Sequence, residues 1–199
     1  MDIASFINLV TSFISTHASL LISLFALAFT IGSFWWMNLH KGKILVGTPR
    51  AFAAISQGLR GMLLVRLPLL FYNDGAHTII IYNLRLTLKQ KERKSAVLYF
   101  NQTVDKLTGE QADNWAIQFA VAGRKTSFAI CEFVRLKEGN FVFAAEECEA
   151  ILEVKYDESG KWRQLKRFNL QTPEKCLVTL NAKGPILAYD NDPDRGRER

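Results

Sequence analysis

Hydrophobic and polar positions divide the chain into an apolar beginning and a longer part in which the two alternate. From Ile3 to His40 the sequence contains no Asp, Glu, Lys or Arg. The twenty residues from Ala18 to Met37 are almost continuously apolar. As a helix they rise about 30 Å, which is the thickness of the hydrocarbon core of a bilayer. We therefore predict one transmembrane helix over residues 18–40.

The end of this apolar segment has the residue order of a membrane interface. Trp35 and Trp36 close the segment, and Lys41 and Lys43 follow it. Aromatic side chains favour the interfacial layer and lysines the aqueous phase, so these four residues are the predicted membrane-interface site. A buried helix of a soluble protein rarely runs this long without a polar face. A cleaved signal peptide has a basic start, a shorter apolar stretch and small residues at the cleavage site, and this segment has none of these features.

Residues 1–17 precede the predicted span and are too few to cross a bilayer themselves. Apolar residues recur among them at helical spacing, separated by Ser, Thr and Asn. Such a segment can form an interfacial helix, the first turns of a long tilted helix, or a surface that meets another membrane subunit. Of these alternatives we predict an N-terminal interfacial extension of the anchor.

Residues 41–61 form a predicted basic juxtamembrane segment. Thr48 and Pro49 have the order of an N-cap followed by a proline at the first helical position, which indicates a short helix over residues 51–57. The apolar runs on either side of this stretch favour strands instead.

From residue 62 onward, short apolar runs alternate with polar turns. The runs predict strands at residues 62–72, 78–88, 96–104, 115–121, 126–136, 141–145, 150–156, 162–170 and 176–180. Because no long helical period occurs, the pattern indicates a mainly β protein. Residues 62–189 are predicted to form an antiparallel, immunoglobulin-like β-sandwich of about seven to nine strands. Residues 190–199 contain no large apolar side chain and are predicted to be a disordered tail.

A compact loop at Asn73, Asp74 and Gly75 lies between the first two of these strands, and His77 follows it. Two apolar runs around such a loop predict a β-hairpin, with a positive φ at Gly75. The same four residues are the candidate partner-binding turn, because Asp74 and His77 offer polar groups to a ligand. Pro68, within the first strand, indicates an edge position or a bulge.

Charge changes this picture by suggesting an orientation. The chain has 199 residues and a net charge of +6. Residues 41–95 alone hold ten basic and two acidic residues, a net charge of +8, directly after the apolar segment. Basic flanks stay on the cytoplasmic side, so we predict an external N-terminus and a cytoplasmic domain over residues 41–199. Three cysteines without CxxC spacing agree with a reducing compartment.

Candidate chemistry is sparse. The sequence holds three histidines, but no HExxH, no Cys/His pair at metal spacing, no GxSxG and no phosphate-binding glycine motif. We therefore predict no catalytic residues, no metal site, no cofactor and no identifiable small-molecule substrate.

Nucleic acid is a second kind of partner that the composition raises. Aromatic residues interleave with Arg66, Arg85 and Lys89, as on single-stranded nucleic-acid faces. A sandwich core with basic outward residues has the same composition, and the position of the charge beside the apolar segment favours that interpretation. We do not expect nucleic-acid binding.

Three stretches of sequence carry a resemblance to known proteins. They are FWWMNLHKGKILVGTPRAFAAISQG at 34–58, LPLLFYNDGAHTIIIYNLRLTL at 67–88 and AIQFAVAGRKTSFAICEF at 116–133. The combination resembles uncharacterised bacterial single-pass membrane proteins of the cyanobacterial type, a group that implies no known activity. The turn and the strand after it are also loosely similar to immunoglobulin-like and LEA2-type sandwich domains. Similarity of this kind implies a fold and no function.

Two functions of different classes follow from these predictions. The first is a non-enzymatic single-pass membrane protein whose β-sandwich is an interaction or assembly module for a membrane protein complex, with membrane lipids and another membrane protein as partners. The second is a lipid- or apolar-ligand-binding envelope factor. A filled core with an exposed apolar patch favours the first function. A continuous pocket favours the second, and we expect it to be lined by Leu64, Leu70, Ile80 and Phe100.

Overall fold

A computed structural model describes residues 3–56, 62–90, 95–109, 115, 117–135, 141–145, 147–182 and 185–192. The chain divides into two compact units, Met1–Lys41 and Gly42–Arg199.

The N-terminal unit is one helix. Helix α1 covers Ile3–Phe34 and continues into a five-residue π-helical turn, Trp35–Leu39. The 25 residues Ser15–Leu39 have a mean hydropathy of 1.9, and none of them is buried. This stretch is long and apolar enough to cross a membrane. Because α1 begins at Ile3, the residues before the predicted span continue the same helix.

The second unit consists mainly of short strands. In chain order they are β1 (Ile44–Val46), β2 (Ala51–Ile55), β3 (Leu63–Asn73), β4 (Ile79–Ile81), β5 (Asn83–Lys89), β6 (Ala96–Val104), β7 (Phe119–Val121), β8 (Thr126–Arg135), β9 (Cys148–Lys155), β10 (Arg163–Leu170) and β11 (Leu187–Asp190). A short helix, α2 (Glu174–Asn181), lies between β10 and β11.

Nine of these strands form one antiparallel sheet. Its order is β10-β9-β5-β6-β8-β3-β2-β11, and β1 pairs with β3. Strands β4 and β7 form a separate two-stranded sheet. The sheets curl into a sandwich-like arrangement, which confirms the prediction of a mainly β, antiparallel sandwich after an N-terminal apolar helix.

Alternation along the strands places one face of the large sheet in the hydrophobic core. Fully buried side chains of this face include Val65, Leu67, Leu69 and Phe71 on β3, Leu84, Leu86 and Leu88 on β5, and Leu152 and Val154 on β9. Burying each side chain of this size stabilises the fold by about 1.5–3 kcal/mol. Within the described part of the chain, every buried side-chain nitrogen and oxygen has a hydrogen-bond partner.

Strand β2 occupies the stretch in which a short helix was one prediction. Its residues pair with β3 on one side and with β11 on the other. This pairing buries Phe52, Ala53, Ala54 and Ile55, whereas a helix would leave part of the segment in water. Thr48 and Pro49 favour a helix start only locally. The pairing of β2 with two neighbouring strands stabilises the extended conformation more strongly.

Four predicted strands are absent, clearly shorter or divided. Residues 78–88 form two strands, β4 and β5, with Tyr82 between them. Residues 176–180 lie in α2, where Leu180 is buried and Val178 is 79% exposed, the one-sided burial of a surface helix. Residues 141–145 form no strand, although their two phenylalanines are buried in the core. Of residues 115 and 117–121, which are the described part of another predicted strand, only the last three are a strand.

The predicted hairpin at residues 73–75 is wrong. Strand β3 has β8 on one side and β1 and β2 on the other, so no edge of β3 is left for the strands that follow it. Strand β4 pairs with β7, and β5 pairs with β6 and β9. The turn therefore connects β3, in the large sheet, to β4, in the two-stranded sheet.

Pro68, predicted to lie at an edge position or a bulge, lies in a strand with neighbours on both sides, opposite a gap in the pairing on one side. Strand β2 pairs with β3 as far as Arg66, and β1 pairs with it from Phe71 onward, so Pro68 faces the gap between them. A missing N–H in that gap breaks no ladder hydrogen bond.

The folded domain extends past the predicted boundary at residue 189. Asn191 is 3% exposed, and its side-chain amide donates to the carbonyls of Pro49 at 3.0 Å and Asn169 at 3.1 Å. Its Oδ1 accepts a hydrogen bond of 2.8 Å from the Gln171 N–H. Residues 193–199 of the predicted tail lie outside the described residues.

Candidate functional site

The predicted membrane-interface residues lie where the N-terminal helix ends. Trp35 and Trp36 are 52% and 57% exposed on the π-helical turn. The His40 N–H donates to the Trp35 carbonyl at 3.0 Å, and the His40 ring stacks on Trp36 with 4.5 Å between centroids. Lys41 and Lys43 are exposed. Two outward indole rings at the end of an apolar helix are typical of an interfacial aromatic belt.

The candidate partner-binding turn is held from within by Asn73, which is fully buried. Its amide nitrogen donates to the carbonyls of His77 at 2.7 Å and Val121 at 3.0 Å. Its Oδ1 accepts a hydrogen bond of 3.0 Å from the Gly75 N–H. Both the amide nitrogen and the oxygen of Asn73 form hydrogen bonds inside the protein. Asn73 therefore stabilises the turn rather than binding a partner.

Two other segments converge on this turn. The Asp74 carboxylate accepts a hydrogen bond of 2.5 Å from the Lys43 N–H. The Gly75 carbonyl accepts one of 2.9 Å from the Arg124 N–H. We call residues 42–43, 73–77 and 122–125 together the turn junction. Asp74 and His77 are exposed on it, with no catalytic arrangement between them among the described residues.

The prediction of a positive φ at Gly75 is wrong. In the described ranges, positive φ values occur at Gly109 (93°) and Arg124 (55°). The Asn73 side chain closes the turn by accepting the Gly75 N–H, so the turn needs no left-handed residue at that position. What Gly75 provides is a close backbone approach to Gly42.

The described residues show no arrangement suited to metal binding. Among them, no group of three or more His, Cys, Asp and Glu side chains could hold a metal ion. Cys131 and Cys148 carry buried thiols. Burial raises the pKa of the Cys131 thiol to about 12, which keeps it protonated and poorly nucleophilic near neutral pH.

The residues considered as a nucleic-acid face do not form one surface. Phe71, one of the aromatic residues interleaved with these basic residues, points into the core, and Arg66 is only 6% exposed. Arg85 donates two hydrogen bonds, of 2.6 and 2.8 Å, to the Glu153 carboxylate. Through these hydrogen bonds Arg85 lowers the pKa of Glu153, and Glu153 raises the pKa of Arg85. Both arginines therefore have their charge compensated inside the domain.

The buried ion pair of Arg66 and Glu132 lies on the outer face of the sheet. The Arg66 Nε donates to the Glu132 carboxylate at 2.8 Å. The other carboxylate oxygen accepts hydrogen bonds from the side chains of Asn101 at 3.0 Å and Gln102 at 2.8 Å. The Arg66 guanidinium also donates to the carbonyls of Leu107 at 3.2 Å and Gly109 at 2.9 Å. The pair thus fastens the loop after β6 to the sheet.

An exposed apolar patch lies on the same outer face, and the sequence patterns did not identify it. Leu45, Leu70, Tyr72 and Phe128 are 51%, 47%, 40% and 63% exposed. The register sets Leu45 opposite Tyr72 and Leu70 opposite Phe128. Cross-strand partners share a face at about 5 Å, so the four side chains form a continuous surface. We call these four residues the β1-β3-β8 patch.

The sequence did hold a signal for this patch. The run LLVRLPLLFY in β3 is apolar at most outward positions as well as at the inward ones. A strand that is apolar on both faces is typical of a strand covered on both faces. The outward side chains Leu70 and Tyr72 are nevertheless exposed.

A cleft of about 420 Å³ opens beside the patch, where β6 ends and β8 begins. Phe128 belongs to both the patch and the cleft. The residues that line the cleft are Thr103, Val104, Asp105, Ile117, Phe119, Ser127, Phe128, Ala129 and Ile130.

Comparison with known proteins assigns neither a family nor an activity. No protein-family model matches the sequence, and no curated protein is significantly similar to it. The resemblance to bacterial single-pass membrane proteins stays a prediction.

Proposed function

We propose that this protein is a non-enzymatic single-pass membrane protein whose β domain is an interaction or assembly module for a membrane protein complex. The β1-β3-β8 patch is the observation that carries this proposal. Contiguous large apolar side chains on the outside of a sheet favour a binding surface, because leaving them in water costs about 25 cal/mol per Å². The other face of the sheet packs into the hydrophobic core.

The N-terminal helix supports the membrane part of the proposal. Trp35 and Trp36 close an apolar stretch that is long enough to cross a bilayer, and Lys41 and Lys43 follow it. The basic flank supports an external N-terminus and a cytoplasmic domain. Tethering the domain to a membrane raises its effective concentration toward a partner in the same membrane. A weak apolar contact is then enough for stable assembly.

The alternative, an apolar-ligand-binding factor, has less support. Leu64 and Leu70 lie on the outer face of β3, whereas Phe100 packs against Phe133 with 6.1 Å between ring centroids. Ile80 is 52% exposed on β4. The four residues expected to line one pocket are thus spread over different surfaces.

Affinity purification from gently solubilised membranes tests the proposed function. We expect a stoichiometric membrane protein to accompany the wild-type chain and to be lost from a Leu70→Asp variant. Val178→Asp is the matched control, because Val178 is 79% exposed on α2, outside the patch. Absence of any stoichiometric partner, or equal recovery with Leu70→Asp and Val178→Asp, would contradict the proposal.

A further inference from the structure

Strand β8 has an open edge beside the cleft. It pairs with β3 along its whole length, from Thr126 to Arg135. On its other side it pairs with β6 only over residues 130–134, because β6 ends at Val104, opposite Ile130. Among the residues that the structure describes, residues 126–129 therefore have a ladder partner on the β3 side only.

The register fixes where the backbone groups of Phe128 point. The Asn73 N–H donates to the Lys125 carbonyl at 3.1 Å, which makes these two residues a hydrogen-bonded pair. Hydrogen-bonded and non-hydrogen-bonded pairs alternate along an antiparallel ladder, so Leu70 and Phe128 are a non-hydrogen-bonded pair. The Leu70 carbonyl accordingly accepts a hydrogen bond of 3.1 Å from Gly47, on the side away from β8. By the same rule, the N–H and C=O of Phe128 point away from β3.

These backbone groups face the cleft, since Ser127, Phe128, Ala129 and Ile130 all line it. Its volume of about 420 Å³ lies within the range of ligand-binding sites. Phe128 is 63% exposed, and Ile117, another lining residue, is 74% exposed. The cleft thus combines an open strand edge with exposed apolar side chains.

We propose that the edge of β8 at residues 126–129 binds an extended segment of the partner protein as an added strand. The proposal rests on the proposed function and specifies how the partner is held. An extended chain supplies the spaced N–H and C=O groups that complement the backbone of Thr126 and Phe128. A lipid tail has no such groups. Alternate side chains of the added strand lie on the face that carries Phe128, next to the patch.

Charge at this end of the sheet indicates the composition of the added strand. Asp105 and Lys106 follow β6, and Arg124 and Lys125 precede β8. All four side chains are exposed, and three cationic side chains against one anionic side chain give a net charge of +2. Complementarity then favours a segment with apolar residues at alternate positions and an acidic residue at its flank.

Phe128→Pro and Phe128→Ala form a matched pair of variants. Both remove the ring, but only proline removes the N–H that points into the cleft. That N–H donates nothing to β3, so proline leaves the β3–β8 ladder intact, as at a strand edge. The difference between the two variants therefore measures the contribution of the backbone donor.

The probe is a display library of random peptides of about twelve residues, which matches a short strand with flanks. It is selected on the full chain in nanodiscs and counter-selected on empty nanodiscs. We expect enriched peptides with alternating β-branched residues and an acidic flank. An enriched peptide should bind Phe128→Pro about tenfold more weakly than Phe128→Ala, the effect of one lost hydrogen bond. N-methylation of the peptide at alternate positions should weaken binding to the wild-type chain in one register only.

Two outcomes would overturn the proposal of an added strand. The first is that a selected peptide binds both variants with equal affinity and binds the wild-type chain equally well after N-methylation. The second is that no peptide is enriched over empty nanodiscs. The N-methylation measurement uses the wild-type chain, so it decides the question even where the proline variant fails to fold. The proposed function is judged separately. If the membrane partner is lost with Leu70→Asp and retained with Phe128→Pro, the interaction module stands and the β8 edge is not its binding site.

Discussion

Gly42 lies so close to Gly75 that a Cβ atom on Gly42 would overlap the backbone nitrogen and Cα of Gly75. The first residue of the β domain is thereby packed on the turn that follows β3. Gly123 makes a similar approach from the β7–β8 turn, where an added Cβ would overlap the Ala76 carbonyl. The candidate partner-binding turn is therefore packed between two other backbone segments, residues 42–43 and 122–125.

Gly42→Ala should destabilise the β domain by about 1–3 kcal/mol, the usual cost of forcing extra atoms into a packed site. The neighbouring Gly47→Ala is the control, because a Cβ there meets only the Leu70 side chain, at 3.9 Å. Thermal unfolding of the full chain in detergent, followed by the β signal in circular dichroism, measures both variants. Equal midpoints for the two would contradict the account of the turn junction.

Breaking the buried Arg66–Glu132 pair should destabilise the domain more than the glycine substitution does. Glu132→Leu should cost about 3–5 kcal/mol, because it leaves the Arg66 charge buried without its partner. The double variant Arg66→Met with Glu132→Leu should recover most of that loss, because the charge is then removed as well. Denaturant unfolding of wild type, the double variant and both single variants, Arg66→Met included, gives the coupling energy. A single variant within about 1 kcal/mol of wild type would show that the pair is solvated rather than buried.

The Arg85–Glu153 pair predicts a pH dependence of stability. The hydrogen bonds from Arg85 lower the pKa of Glu153 below its ordinary value of 4.5. Because its pKa is lowered in the folded state, the ionised Glu153 carboxylate stabilises the fold above pH 4.5. This contribution is lost as the pH falls through the folded-state pKa. Glu153→Gln should therefore lower stability by roughly 1 kcal/mol at neutral pH, and by progressively less as the pH falls below 4.5.

Glu149→Gln is the control for that comparison. Its ion pair with Arg167, at 3.2 Å, is more exposed, with side-chain exposures of 57% for Arg167 and 32% for Glu149. A smaller effect is expected, since exposed pairs are screened by water. Parallel pH profiles for wild type and Glu153→Gln would contradict the assigned role of Glu153.

The proposed orientation predicts the outcome of cysteine labelling. Ser159 is exposed in the turn between β9 and β10, so Ser159→Cys provides a reactive site, and Cys176→Ser removes the half-buried native thiol. Cys131 and Cys148 are buried and should not react while the domain is folded. An impermeant maleimide should label Ser159→Cys only after the membrane is permeabilised. Labelling in intact cells would place the domain outside.

Local sequence patterns predicted the elements whose structure depends on local alternation. Strand β6 has the predicted bounds, Ala96–Val104, because its sequence AVLYFNQTV is rich in the β-branched and aromatic residues that favour strands. The error at residues 176–180 had a local signal against it, since Pro173 and the acidic first-turn residue Glu174 are typical of a helix start.

Strand neighbours depend on distant parts of the chain, and this limits what the sequence alone can predict. The hairpin failed because β8, β1 and β2 already occupy both edges of β3. The β1-β3-β8 patch also depends on which strands pair. Leu45, Leu70 and Phe128 lie far apart in the sequence, and only the register of β1, β3 and β8 makes them neighbours. The open edge of β8 follows from the end of β6, which no residue of β8 itself indicates.

Photo-crosslinking from the patch in intact membranes tests the central claim most directly. A benzophenone side chain in place of Tyr72, which is 40% exposed, should give one discrete adduct with a membrane protein, and the same group in place of Val178 should give none. The adduct should disappear when Leu70→Asp is added, because the patch is then no longer apolar. No adduct from position 72, or the same adducts from positions 72 and 178, would contradict the claim that this patch is the binding surface of a membrane-anchored interaction module.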